Sequence, residues 1–205
     1  QVITLTASSI DNRYALEGED VTTEICEILL RSIFEPVTEN GVFRASEVDL
    51  ERQSLIDAIE SELNEKRRYA ISRAQAVMCD KEPYGIPKNG YVSDAKEITP
   101  QSAFDAYRNM LRTAQVEIIC TGGGDFSEAR EAFAKAFSSM DRAAVAIARP
   151  DVNVQVEALK DVEEQMAVTQ SKLVLGFRVT DPDLAAVRMM VSVLGGSPSS
   201  LLFMN

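Results

Sequence analysis

The stretch "QVEIICTGGGDFSEAREAFAKAFSSM" (115–140) decides the fold class. Its first part, "QVEIICTGG", is a short apolar run rich in β-branched residues, and it predicts a buried strand. Three glycines follow. Asp125 or Ser127 then stands where a helix N-cap belongs, ahead of "SEAREAFAKAF" at helical spacing. A strand that feeds a helix is common to many folds, so the elements before it matter. They are mostly helices, and that grouping separates α+β from strictly alternating α/β.

Upstream, "VITLTASS" (2–9) has a strand's composition and "RYALEG" alternates polar with apolar residues. An antiparallel pair joined at Asp11-Asn12 is predicted. Asp20 or Thr22 caps a helix with Ile25, Ile28, Leu29 and Ile33 on its apolar side, and Pro36 lies beyond its end. "TENG" (38–41) reads as a turn. Ser46 with Asp49 gives a capping signal for a long helix in which Leu55, Ile59 and Leu63 step by four. The helical pattern continues with a break through "YAISRAQAVMC", and "DKEPYGIPKNGY" reads as an exposed loop. Thr99-Pro100 opens the next helix.

Up to about Met140 the pattern is β-β-α-α-α-β-α, which predicts α+β with a largely antiparallel sheet packed against helices. Residues 143–157 lose periodicity and read as a connector between a unit over 1–142 and the start of a second over 158–205. In that second unit "MAVTQSKLVLGFRV" (166–179) predicts a strand, and Asp181-Pro182 caps "DLAAVRMMVSVL". The chain opens on Gln1 without a leader pattern and stops in mid-pattern at "SSLLFMN", as expected of a piece of a longer chain.

Composition removes several functions. The 205 residues are 45% apolar and 26% charged, as in ordinary globular domains. No run approaches the roughly 20 apolar residues that span a bilayer. A net charge of −11 argues against nucleic acid and anionic membranes as partners. The only dense basic run, "EKRR" (65–68), reads as an exposed helix face laced with ion pairs. Cys26, Cys79 and Cys120 are odd in number and widely spaced in apolar surroundings, which predicts buried, reduced thiols and a cytoplasmic setting.

There is no histidine. That removes the commonest metal ligand and the commonest neutral-pH base, so the common hydrolytic sites cannot be completed within this chain. The carboxylates of "ERQSLIDAIESEL" (51–63) raise the question of a metal site. Positions seven apart share a helix face, so Glu51 looks out beside Ala58, while Asp57 and Glu60 point elsewhere. By itself this reads as a solvated helix face. "CTGGGDFSE" (120–128) lacks both phosphate-loop spacings, and Asp125 would repel a phosphate. "LGGSPSS" (194–200) reads as a helix-to-helix turn. No catalytic, cofactor-binding or metal residue is assigned.

The order of motifs resembles the inverzincin zinc peptidases, the pitrilysin and insulinase-like family that includes the mitochondrial processing peptidase subunits. The resemblance runs through "TASSIDNRYALEGEDVTTEICEILLRSIFEP", "LERQSLIDAIESELNEKRRYA", "EPYGIPKNGYVSDAKEITPQSAFDAYRNML" and "VEIICTGGGDFSEAREAF". It resumes at "QSKLVLGFRVTDPDLAAVRMMVSVLGGSPSSLLFMN", like the start of a second repeat. It implies the processing-peptidase-like repeat fold, a sheet packed on helices. The family cofactor is zinc, held by an H-x-x-E-H helix and by a glutamate seven residues after the glutamate of an E-R pair. Glu51-Arg52 matches the pair, and the ligand position falls on Ala58, which has no donor atom.

The resemblance therefore implies the inactive branch: a non-catalytic member that binds peptides or pairs, as a homo- or heterodimer, with an active peptidase subunit. Two other readings stay open. One is an active zinc endopeptidase whose H-x-x-E-H lies upstream, with Glu60 or Glu62 recruited by a register shift. The other is an unrelated α+β interaction module.

Overall fold

The computed structural model of the protein describes residues 2–148, 155–156, 158–179 and 183–204. Among them are helices α1 (Val21–Phe34), α2 (Ala45–Ser61), α3 (Lys66–Met78), α4 (Val92–Lys96), α5 (Pro100–Thr113), α6 (Ser127–Ser138), α7 (Leu184–Gly195) and α8 (Leu201–Met204). Strands β1 (Thr38–Glu39) and β2 (Val42–Phe43) form one antiparallel hairpin. The class is α+β. The one sheet among the described residues has two residues per strand, so the larger antiparallel sheet read from the sequence is not formed among them.

The chain divides into two units. One comprises residues up to Asp57 together with Val92–Ala148; the other comprises Ala58–Tyr91 with the described residues beyond 148.

In the first unit α1 packs on α6. Cys26, Ala129 and Phe133 are buried between them, bordered by Ile25, Leu29, Leu30, Ile33 and Phe137. Phe34 meets Phe137 edge-on at 5.0 Å, and Arg142 lies 4.9 Å over the Phe137 ring. The hairpin turns at Asn40 (φ 53°) and Gly41 (φ 82°), the left-handed pair that a two-residue loop requires. That turn delivers Phe43 onto α5, where it meets Phe104 at 5.3 Å and Tyr107 at 5.5 Å. The Tyr107 hydroxyl donates to the carbonyl of Ile33, joining α5 to α1.

Capping follows the sequence closely. Asp20 accepts from the Thr23 backbone at 3.1 Å, and Thr99 forms a reciprocal capping box with Ser102. α1 ends before Pro36. α2 starts at Ala45, one residue ahead of Ser46, so Ser46 lies inside the first turn rather than capping it. Asp181 and Pro182 lie outside the described residues; Asp183 accepts from the backbones of Ala185 and Ala186.

The strand expectations need correction. Residues 2–9 and 115–121 carry no ladder partner among the described residues, and Ile119 of the expected buried strand is 82% exposed. At Asp11-Asn12 the side chains are committed elsewhere. Asp11 accepts from the Arg13 backbone at 2.9 Å, opening a short 3-10 turn over Asn12–Tyr14. Asn12 donates to Asp20 at 2.7 Å and accepts from the Thr22 backbone at 3.1 Å. The turn residues thus build the N-terminus of α1 and leave no hairpin.

In the second unit, residues 166–179 also form no strand. Arg178 instead reaches the Met78 carbonyl at the end of α3 and Glu82 beyond it. Gly176 approaches Met78 so closely that a Cβ there would sit 2.8 Å from the Met78 sulfur. α2 ends at Ser61, so Leu63 falls in a 3-10 turn, 41% exposed, rather than extending the apolar row. In α7 and α8 the apolar residues Met189, Leu202 and Phe203 are exposed.

Candidate functional site

Helix α2 is the family's metal-bearing helix by resemblance, and its geometry answers the question its carboxylates raise. Val48 and Ile56 are buried, and Arg52 lies between them on the same side. Arg52 donates to the Ile98 carbonyl at 2.9 Å and pairs with Asp49 at 2.7 Å, so the arginine of the Glu-Arg pair anchors the turn before α5. Glu51, Asp57, Ala58 and Glu60 all face solvent. Asp57 accepts from Gln53 at 2.8 Å, and the carbonyl of Ala58 accepts from Ser61 at 2.9 Å. Glu62 lies past the helix end, half-buried in the following turn.

Among the described residues no group of three or more His, Cys, Asp or Glu side chains could hold a metal ion. The residues present do not fit a catalytic zinc, which wants three protein ligands on one open site. A methyl group occupies the one position that the resemblance marks for a ligand.

The glycine turn is a second candidate. Asp125 accepts from the Ser127 backbone at 2.9 Å and from the Ser127 hydroxyl, and these bonds hold its carboxyl below the usual range. A carboxylate of the chain therefore takes the Ser127 donors at the start of α6, where an anion would otherwise sit. Gly123 allows the Asp11–Arg13 pair to approach: a Cβ there would lie 2.7 Å from an Asp11 oxygen. The turn is structural. In the second glycine-rich turn the hydroxyls of Ser197 and Ser199 meet at 3.3 Å, and the buried Ser200 hydroxyl has no partner among the described residues.

The thiols are all free, and burial pushes the Cys26 thiol up. Cys120 is exposed, against the expectation of a buried thiol, because the segment that carries it is not covered.

Sequence reasoning missed a polar clamp on α3. Tyr69 and Arg73 stand one turn apart on one face. The Tyr69 hydroxyl donates to one oxygen of Glu164 at 2.7 Å, and Arg73 holds the other oxygen at 2.7 Å and 2.6 Å. Hydrogen bonds from Arg73 and then Tyr69 hold the Glu164 carboxyl below its ordinary value. Lys160 pairs with Asp80 at 2.8 Å and donates to the Val77 carbonyl at 2.9 Å. Arg178 pairs with Glu82 at 2.5 Å in a shielded site and also reaches the Met78 carbonyl and the Cys79 sulfur. The available signal was the four-residue spacing of Tyr69 and Arg73 beside a basic run, with an acidic stretch near residue 164.

The family model described as the peptidase M16 inactive domain matches residues 97–205, just over half of the chain. Across its whole length the chain is 26% identical to the "Probable inactive metalloprotease YmfF" of Bacillus subtilis (strain 168), over 208 aligned residues. The match covers 49% of that protein, so the chain spans about half the length of the curated relative. No solved structure matches the chain. Among the described residues no helix is long and apolar enough to cross a membrane.

Proposed function

We propose that this chain, which belongs to the M16 peptidase family, is part of a non-catalytic member that binds peptides or pairs with an active peptidase subunit. Membership overturns the reading as an unrelated interaction module. The observation that carries the proposal is Ala58: it is exposed on α2 seven residues after Glu51, and it offers no donor where the family's third zinc ligand belongs. Glu60 points about 200° round α2 from Ala58, and Glu62 lies in the turn after the helix, so neither carboxylate stands on the face that Ala58 presents.

Within this reading, residues 1–142 are the latter part of one peptidase-like repeat and 158–205 begin another, joined by 143–157. Exposed apolar residues on the unpaired segments, Ile119 in the first unit and Leu173 and Phe177 in the second, support a role in pairing, because exposed apolar surface favours being covered. Free cysteines support a cytoplasmic setting.

The test is zinc content and cleavage of a fluorogenic peptide by the full-length protein, alone and mixed with an active family member from the same cell. Substoichiometric zinc and no cleavage alone are expected, with co-elution or altered cleavage in the mixture. Stoichiometric zinc together with cleavage by the protein alone would overturn the proposal.

A further inference from the structure

In a chain of net charge −11, the one dense basic run, Lys66, Arg67 and Arg68, opens α3, and Arg73 follows further along the helix. The segment that lies on this helix is acidic, "KDVEEQ" (160–165). Its Glu164 carboxylate is gripped at both oxygens, by Tyr69 at 2.7 Å on one and by Arg73 at 2.7 Å and 2.6 Å on the other. Two donors at helical spacing, aimed at two oxygens of one carboxylate, make a receptor for a carboxylate and not merely a charge contact.

The grip is weak by construction. The Arg73 and Glu164 side chains remain 45% and 34% exposed, where water and salt compete with an ion pair. Around it the segment buries little apolar surface, since Leu159 is 91% exposed and Val162 57%. The Lys160 anchor to Asp80 is equally open, at 45% and 53%. What keeps Glu164 seated is its tether, which holds it at high effective concentration over the site.

We infer that the Tyr69–Arg73 face of α3 is a docking site for an acidic peptide segment of a partner, covered in cis by the chain's own Glu164. The partner's carboxylate displaces Glu164 and takes the same two donors, while the basic start of α3 favours further acidic residues beside it. The inference uses α3 and residues 160–164 alone. Its failure would leave the zinc-free family reading untouched, because that reading is decided by metal content.

The test is fluorescence anisotropy with a labelled peptide of sequence ALKDVEEQMAV, that of residues 158–168, added to the protein at low and at physiological salt. Glu164→Gln removes the charge of the tethered competitor and is expected to bind the peptide about tenfold more tightly than the wild type. Adding Arg73→Ala to Glu164→Gln should abolish that gain, and a peptide with its acids changed to amides should not bind. Lys160→Ala, which loosens the tether without touching the receptor, should give a smaller gain in the same direction. Equal binding by wild type, Glu164→Gln and Lys160→Ala overturns the inference, as does equal binding of the amidated peptide.

Discussion

Phe133→Ala tests whether the α1–α6 contact is the core of the first unit. Phe133 is 5% exposed, and its buried companions are only Cys26 at 8% and Ala129 at 5%. Truncating a buried phenylalanine costs about 3–5 kcal/mol, the lower end applying where neighbours can close on the gap. Here the surrounding Leu29, Leu30, Ile33 and Phe137 are half-buried and free to shift, so about 3 kcal/mol is expected. At roughly 1.4 kcal/mol per tenfold, that lowers the hydrogen-exchange protection of slow α1 and α6 amides by roughly a hundredfold. Native-state exchange followed by mass spectrometry reads this helix by helix, which matters because two units need not unfold as one. Glu27→Ala, on the exposed side of α1, is the control and should leave protection nearly unchanged. If Phe133→Ala lowers protection by less than about fivefold, equal to about 1 kcal/mol, the packing argument is wrong.

Three further outcomes follow from the same geometry. Ala58→Glu in this chain should leave zinc affinity unchanged by isothermal titration and stability within about 0.5 kcal/mol, since the residue is exposed and the described residues hold no group of three donors that it could join. Thr99→Val removes the capping box of α5 and should cost about 1 kcal/mol in urea denaturation. For pH, the folded Glu164 carboxyl lies below its unfolded value because Arg73 and Tyr69 bond the charged form. Its contribution is therefore complete above the ordinary carboxylate range and fades as pH falls through the lower folded value. Exchange at residues 160–166 should be independent of pH from 7 to about 5, once corrected for intrinsic rates, and accelerate in stronger acid. Glu164→Gln should flatten that rise.

Much of the helical framework was legible because its causes are local. Asp20, Thr99-Pro100 and Asn40-Gly41 act on backbone groups within a few residues, and each does in the structure what its sequence position predicts. The strands were misread for the opposite reason. "VITLTASS", "QVEIICTGG" and "KLVLGFRV" have the right composition, but a ladder needs a second segment in register, and composition does not name that segment. The register of α2 slipped for a smaller reason: Ser46 and Asp49 match a capping signal, yet the helix begins one residue earlier, with Val48 and Ile56 on its buried side.

Two ligand positions are fixed by the covalent chain alone. The absence of histidine and the methyl of Ala58 withhold an imidazole ligand and a carboxylate at position 58 in any conformation, because a donor atom that is not in the covalent structure cannot be folded into place. Tertiary structure alone decided where polar groups meet. Glu164 lies 95 residues from Tyr69 and 91 from Arg73, and no local pattern connects them. The i, i+4 spacing could set the two donors on one face, but only the return of the chain over α3 brings a carboxylate to them.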